Sequence, residues 1–414
     1  MLNMTFEYRL DPTAKQAQTF DEWLEASRRV WNFALAERKD WYSSRSCRVD
    51  ACSIKSEYII PADAPRPTFA SQCKALTEAK KSHPELKTPN AQMLQQVLRR
   101  LEKAFVSMWE QKHGFPRFKK SGRMRSMLFP QLSDNPVQRN KAKPPRSSRR
   151  RPPGGSAVKL PGVGWCKMRL SRPIPDGFVV KQAQVVKRAS SWFVMLTLQA
   201  DVSVPDVMPH GNALGIDLGL ISFLATSEGE LIARPRFFVD LQRQLKLLQQ
   251  RVSRKVKGSN NWRKAVQKVS RLHEHIHNTR KNFHFQLAHK LCDSAGMIFA
   301  EDLNLKAMSR GMLCKHTLDA GFGQFISILE WVCWKRGVYF ALVDANGTSQ
   351  TCPNCLTITG NKDLSERVHS CPECGYQTDR DVAAAQVVVQ RGLAAVGSTV
   401  KMLSEGKVVG LPLS

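Results

Sequence analysis

Two sets of residues in this chain are suited to chemistry. The first is Cys352, Cys355, Cys371 and Cys374, two CxxC pairs separated by 15 residues. Each pair can close a tight turn that presents two thiolates to one ion, and the interval lets two such knuckles face each other. Four sulfurs at tetrahedral geometry select zinc. A full ligand shell leaves no place for substrate, so this single zinc is expected to stabilise folding and not to react. The second set is acidic. Asp217 interrupts the apolar run Leu214-Gly215-Ile216 and precedes Leu218-Gly219, while Glu301 terminates Met297-Ile298-Phe299-Ala300. A charge within an apolar strand is costly to bury without a partner. Asp381 opens the last helix, directly after the cysteines. Singly, each acid has a plain structural explanation: Asp217 as an edge-strand acid, Glu301 as a strand end, Asp379 or Asp381 as a helix N-cap. Together, two strand acids and one helix-start acid can converge on a pair of magnesium or manganese ions. Such a pair, about 3.5–4 Å apart, activates water and stabilises the leaving oxygen in phosphodiester hydrolysis.

The charge balance points to the same class of substrate. Lysine and arginine number 63 against 35 acidic residues, a net charge of +28 over 414 residues, spread along the chain. A soluble small domain carries roughly 2–8 net charges. An excess this large repels itself in a compact fold unless a polyanion shares the surface, so nucleic acid is the expected partner. No run reaches the ~18 apolar residues of a membrane span, and the N-terminus lacks a signal pattern, so a cytoplasmic protein with no membrane partner is expected. Of 11 cysteines, those outside the CxxC pairs, such as Cys292 and Cys333, read as ordinary free thiols of a reducing compartment.

The elements that must position these residues are legible in part. A strand-like start (Met4, Phe6, Tyr8) leads into an amphipathic helix carrying Phe20, Trp23, Leu24, Val30, Trp31 and Leu35. A second helix carries Leu94, Val97, Leu98, Leu101, Phe105, Met108 and Trp109 on one face. Residues 45–88 between them are polar and proline-punctuated and read as a mobile insert. Arg117, Lys119 and Lys120, interleaved with Phe115 and Phe118, suit phosphate and base contact, although a solvated basic face is the plain alternative. Asn135–Ser156 is rich in Pro, Gly, Ser and Arg and reads as a disordered basic loop. Short β-rich runs at 167–170, 179–186 and 192–198 could close a small barrel with the first strand. From Leu214 the pattern turns α/β, with strands near 214 and 231 followed by an antiparallel helical hairpin whose faces carry Arg254, Lys255, Arg263, Lys264 and Arg280. A helix over 322–336 ends at Gly337, Val338–Val343 forms a strand, and the tail from Gly392 reads as loosely ordered.

Several stretches also resemble one family. Ala213-Leu214-Gly215-Ile216-Asp217-Leu218-Gly219, Phe299-Ala300-Glu301-Asp302-Leu303-Asn304, Thr348 through Cys355, and Cys371 through Asp381 look like the signature of TnpB, the insertion-sequence proteins related to compact type V CRISPR effectors. Ser27 through Asn32, Phe115 through Lys119 and Lys159-Leu160-Pro161 match it too, so the likeness spans nearly the whole chain. The resemblance implies a multidomain fold, all-β plus α/β: an N-terminal wedge β-barrel (1–10 and 158–211) with a helical recognition insert (11–134) and a basic loop (135–157). A RuvC, RNase H-like nuclease domain would then follow (212–350, hairpin about 236–291), interrupted by a zinc ribbon (351–376) and completed by 377–394, with a tail at 395–414. It also implies an RNA-guided DNA endonuclease that binds guide RNA, reads a short adjacent motif in double-stranded DNA and cuts with Asp217, Glu301 and Asp381, in which pairing to the guide supplies sequence specificity. A monomer is slightly favoured. Two positions depart from the family pattern: Ala383 where Asn is common, and Leu356 where Gly is usual, the latter expected only to alter the knuckle turn. The competing readings are an RNA-guided DNA-binding protein that cuts poorly or not at all, a strand-joining transposase, and a zinc-ribbon transcription factor.

Overall fold

The computed structural model describes residues 1–46, 60, 61, 63–138, 155–308, 310, 311, 313–360, 362, 363, 365–397, 399–402 and 408–411. The chain divides into two compact units, Met1–Val204 and Pro205–Ser414.

In the first unit, β1 (Leu2–Asp11), β2 (Ser126–Phe129), β3 (Val137–Gln138), β4 (Ala157–Leu160), β5 (Gly164–Arg169), β6 (Val179–Lys187) and β7 (Trp192–Ala200) form one sheet. Its order is β2-β6-β7-β1-β5-β4-β3. The expected barrel is borne out in part, as a curled half-barrel: among the described residues β2 and β3, of four and two residues, lie at opposite edges and do not pair. Its apolar face is covered by α1 (Ala14–Ser46) and α3 (Ala91–Glu110), where Phe20 packs on Trp192 and Trp23 on Phe129. Helix α3 starts at Asn90, whose side chain accepts the Met93 N–H at 3.1 Å, and buries Met93, Leu94, Val97, Leu98, Leu101 and Phe105.

The polar insert expected over 45–88 proves partly helical, since Phe69–Ser82 forms α2 behind a Thr68/Ser71 capping box. Its apolar stripe is too thin to read from sequence, because it docks through polar groups. Buried Arg38 of α1 donates to Gln72 at 3.0 Å and pairs with Glu102 of α3 at 2.6 Å, joining the three helices. Residues 47–59 and 62, and 139–154 of the expected basic loop, lie outside the described residues. Flanking them, Val137–Gln138 and Ala157–Val158 pair as strands and not as loop.

In the second unit, β8 (Ala213–Leu218), β9 (Ser222–Thr226), β10 (Leu231–Ala233), β11 (Met297–Glu301) and β12 (Tyr339–Val343) form a sheet of order β10-β9-β8-β11-β12. The first three strands are antiparallel and β8, β11 and β12 are parallel. The parallel pairs need crossovers. One is the hairpin of α4 (Gln242–Ser253) and α5 (Asn260–Ser294); the other is α6 (Cys314–Ala320) with α7 (Phe322–Arg336). Gly337 ends α7 at φ +70°, the left-handed conformation glycine adopts without strain. Among the described residues no helix is long and apolar enough to cross a membrane.

The last helix, α8 (Arg380–Ala395), overturns the reading of a loose tail from Gly392. Gly392 and Leu393 are buried within it, and Thr399–Met402 pairs with Val408–Leu411 beyond it. The helix is apolar almost all round, as a helix enclosed on every side must be. Glycine at 392 brings its backbone against the Phe299 ring: a Cβ there would lie 2.2 Å from two ring carbons. Phe299 is fully buried and cannot swing away. Gly392→Ala is therefore expected to destabilise the protein by roughly 1–3 kcal/mol. A thermal melt of the zinc-loaded protein checks this; an unchanged midpoint would mean that α8 does not pack on β11 as described.

Candidate catalytic and metal-binding sites

Strand register brings the first two acids together. Parallel β8 and β11 pair Ile216 with Ala300, so the next step along both strands sets Asp217 beside Glu301. Both point to the face covered by α8. A Cβ on Gly215, two residues before Asp217, would lie 2.0 Å from the Ala385 carbonyl oxygen, and Phe299, two before Glu301, meets Gly392. Residues two apart in a strand share a face. The third acid enters from α8 itself. Asp379 is the N-cap, its carboxylate accepting the backbone N–H of Asp381 at 2.8 Å and of Val382 at 3.4 Å, which leaves the Asp381 side chain free for the site. An Asp381 oxygen lies 3.8 Å from the Cβ position of Gly219, just beyond the end of β8. The edge-strand explanation of Asp217 fails, because β8 is the central strand.

The electrostatics are those of an anionic nest. Burial, then the charges of Glu301 and Asp381, push the Asp217 carboxyl well above the usual carboxylate range. Burial raises Glu301 as well, opposed by the Thr348 hydroxyl and the Arg391 guanidinium, and its Oε1 is buried with no hydrogen-bond partner. Asp381 is raised by burial and opposed by Arg367, whose Nη2 stands 3.0 Å from its carboxylate. Adjacent acids with a partnerless buried oxygen fit a divalent cation, which removes the repulsion and fills the empty acceptor. The acid oxygens do not themselves form so tight a cluster: among the described residues, only the four thiols lie all within 4.8 Å of one another.

Those thiols belong to Cys352, Cys355, Cys371 and Cys374, with sulfur separations of 3.6 Å (352 to 374) and 3.5 Å (355 to 371). Ligands about 2.3 Å from a tetrahedral zinc stand roughly 3.8 Å apart, so the cage fits zinc with little adjustment. The two knuckles are alike. The Leu356 N–H donates to the Cys352 carbonyl at 2.9 Å and the Gly375 N–H to the Cys371 carbonyl at 3.0 Å. Leu356 and Gly375 are both left-handed, at φ +65° and +69°. The departure at Leu356 therefore leaves the turn intact and strains the residue that makes it, contrary to the expectation of an altered turn. Strands β13 (Val368–Ser370) and β14 (Gln377–Asp379) carry the ribbon into the N-cap of α8.

Of the cations singled out from sequence, Arg117, Lys120, Arg254, Lys255, Arg263 and Lys264 are exposed. Lys119 is half-buried over the Trp31 ring, its backbone held by Asn32. Arg280 is committed within the fold: its Nη1 donates to the Leu318 and Asp319 carbonyls at 3.1 and 3.2 Å, at the end of α6. Sequence reading missed Arg367 and Arg391. Nothing in a chain with 63 basic residues distinguishes these two before folding.

Residues 195–312 match a family described as "Probable transposase", 322–388 a "Cas12f1-like, TNB domain" and 1–47 a "Helix-turn-helix domain". In the last region the structure holds β1 and the single 33-residue helix α1. A Streptomyces pristinaespiralis protein named "Putative RNA-guided DNA endonuclease" is 30% identical over 397 residues, covering 94% of this chain and 89% of its own. An Escherichia coli K12 protein, "Putative RNA-guided DNA endonuclease InsQ", is 28% identical over 408 residues, covering 94% and 92%. Among solved structures, a mini RNA-guided CRISPR-Cas endonuclease matches at a TM-score of 0.50 and 8% identity, over 95% of this chain and 92% of that one, a likeness of fold.

Two outcomes follow from this geometry. Leu356→Gly should relieve the left-handed strain by about 1 kcal/mol and slow zinc loss to a chelator; faster loss would show that the leucine side chain is the more important feature. Asp217→Asn should raise the melting temperature of the zinc-loaded, magnesium-free protein by a few degrees at neutral pH. A carboxyl raised on folding contributes stability below its unfolded value and loses it as pH climbs through the folded one. The gain from asparagine should therefore vanish in the ordinary carboxylate range and grow above it, and magnesium should stabilise the parent but not the variant. A midpoint lowered by asparagine would mean that Asp217 is already satisfied as an anion.

Proposed function

The chain belongs to the TnpB family, and from that membership and the meeting of three carboxylates we propose that it is an RNA-guided, metal-dependent DNA endonuclease. The observation that carries the reading is the pairing of Asp217 with Glu301 on neighbouring parallel strands, under the helix that delivers Asp381. The sheet order with its helical crossovers supports a RuvC, RNase H-like nuclease domain, and the first unit would supply the wedge sheet and recognition helices.

Asp217, Glu301 and Asp381 would hold magnesium or manganese, which when bound supplies activation of the attacking water and stabilisation of the leaving oxygen. The chain's own residues do the remaining work. The three acids present their oxygens from rigid strand ends and a capped helix start. Arg367 holds Asp381 in place, and Arg391, anchored on the Asp344 and Asn346 carbonyls at 2.7 and 2.8 Å, tempers the charge on Glu301. The four cysteines would hold structural zinc that fixes the start of α8. The exposed cations Arg117, Lys120, Arg254, Lys255, Arg263 and Lys264 would contact the backbones of guide RNA and double-stranded target DNA.

A protein that binds DNA under RNA guidance and cuts poorly or not at all would have no use for three neighbouring carboxylates, one buried and two partly buried, and the complete set favours cleavage. Ala383, buried two residues after Asp381 at a position where the family commonly has Asn, removes a polar side chain but no carboxylate.

The test uses the RNA that co-purifies with the protein, expected to be a scaffold ending in a variable segment. Duplex DNA matching that segment should be cut with magnesium. Asp217→Ala and Glu301→Ala should each lower the rate by roughly 100-fold or more, and Arg367→Ala by roughly 10- to 100-fold, with DNA binding retained. Unguided cutting, or full cleavage by Asp217→Ala, would overturn the reading.

A further inference from the structure

The tip of the α4–α5 hairpin carries a feature that the active site does not use. From Leu241 to His273 the chain has ten lysines and arginines and no acidic residue. Four of these cations, Arg251, Lys255, Lys264 and Lys268, line one groove of about 520 Å³ between the two helices. Arg251 lies in the last turn of α4 and Lys255 just beyond its end, while Lys264 and Lys268 are four apart near the start of α5, on successive turns ~5–6 Å apart. All four are exposed, and among the described residues no acid pairs with them.

Like charges facing across a groove destabilise the hairpin that holds them, and little else holds its outer half. Leu245 is the one buried residue of α4, while Leu247 and Val256 are 51% and 80% exposed. An anion seated in the groove would remove that repulsion. The first turn of α5, where Asn261 reaches the groove, adds the positive end of a helix dipole and an amide able to donate to phosphate oxygen. Leu248 and Ala265 form an apolar floor suited to a sugar edge and not to a free, fully hydrated ion. Arg254 and Arg263, picked out from sequence density, do not line the groove.

We propose that this groove is a dedicated binding site for consecutive phosphates of a nucleic-acid backbone, gripped from both sides by Arg251, Lys255, Lys264 and Lys268. It rests on the reading of the protein as a nucleic-acid enzyme and names where on the nuclease unit one strand is held. The guide RNA and the target DNA offer the same phosphate chemistry, and the probes below separate them.

The test compares the full chain, zinc-loaded, with a variant carrying Arg251→Gln, Lys255→Gln, Lys264→Gln and Lys268→Gln. Since all four side chains are exposed, the variant should melt no lower than the parent, and it should melt higher if their repulsion is relieved. Binding is measured by fluorescence anisotropy at 50 to 200 mM salt on three probes: the co-purifying RNA, a DNA duplex, and an RNA–DNA hybrid. Four phosphate contacts steepen the salt dependence such that, over this range, the parent should lose affinity roughly 50- to 150-fold more than the variant. A loss confined to RNA assigns the groove to the guide; a loss confined to the duplex or hybrid assigns it to the target. Equal salt dependence of both proteins on every probe overturns the proposal. That failure leaves the nuclease reading standing if the parent still cuts guided DNA, whereas a parent that binds through the groove but never cuts overturns the nuclease reading alone.

Discussion

Bringing three carboxylates near enough to feel one another's charge, with Asp217 and Glu301 on neighbouring strands, is the constraint around which the second unit is built. Such groups repel one another and lose hydration, so the chain must hold them there by packing that is independent of their charge. It does so with backbone. Two parallel strands fix Asp217 and Glu301 in register, and α8 lies close over both because Gly215 and Gly392 leave room for its backbone and for Phe299. The Ala383–Ala385 run lets the helix sit deep against the sheet. The stress is local: burial and mutual charge raise all three carboxyls, and a bound divalent cation would relieve it.

The cysteine ribbon takes part in this arrangement through the start of α8. The chain leaves the second knuckle, forms β14 and enters the helix at Asp379. Arg367, just before β13, pairs with Asp381, and the Arg380 N–H donates to the Arg367 carbonyl at 2.8 Å. Tyr376 donates to Gln386, itself bonded to the Ser227 carbonyl in the turn after β9. The cysteine cluster and Asp381 are therefore linked by a short chain of contacts, and disorder in the ribbon would loosen the third carboxylate first. Leucine at 356 puts strain into this same element.

Much of this was legible in the sequence. Apolar runs ending in an acid marked β8 and β11, and the CxxC spacing marked the ribbon, because each pattern reflects local geometry. The helices α1 and α3 followed from their apolar faces, and α7 was read over 322–336 with Gly337 as its stop. What stayed hidden depends on partners distant in sequence. Helix α2 is held in part by a polar seam with Arg38 and buries only Leu76 of its apolar residues fully, so its apolar stripe is too thin to find. The continuation of α8 through Gly392 depends on a phenylalanine 93 residues earlier, and glycine taken alone reads as a break. The open edges of the first sheet, and the roles of Arg367 and Arg391, likewise emerge only when the chain is folded.

The account is tested most directly by locating manganese through anomalous scattering in crystals of the zinc-loaded protein bound to its RNA. It predicts manganese density bounded by oxygens of Asp217, Glu301 and Asp381 together, beneath the first turn of α8. Density at the cysteine cage alone, or manganese held by one of the three acids while the others point elsewhere, would contradict it.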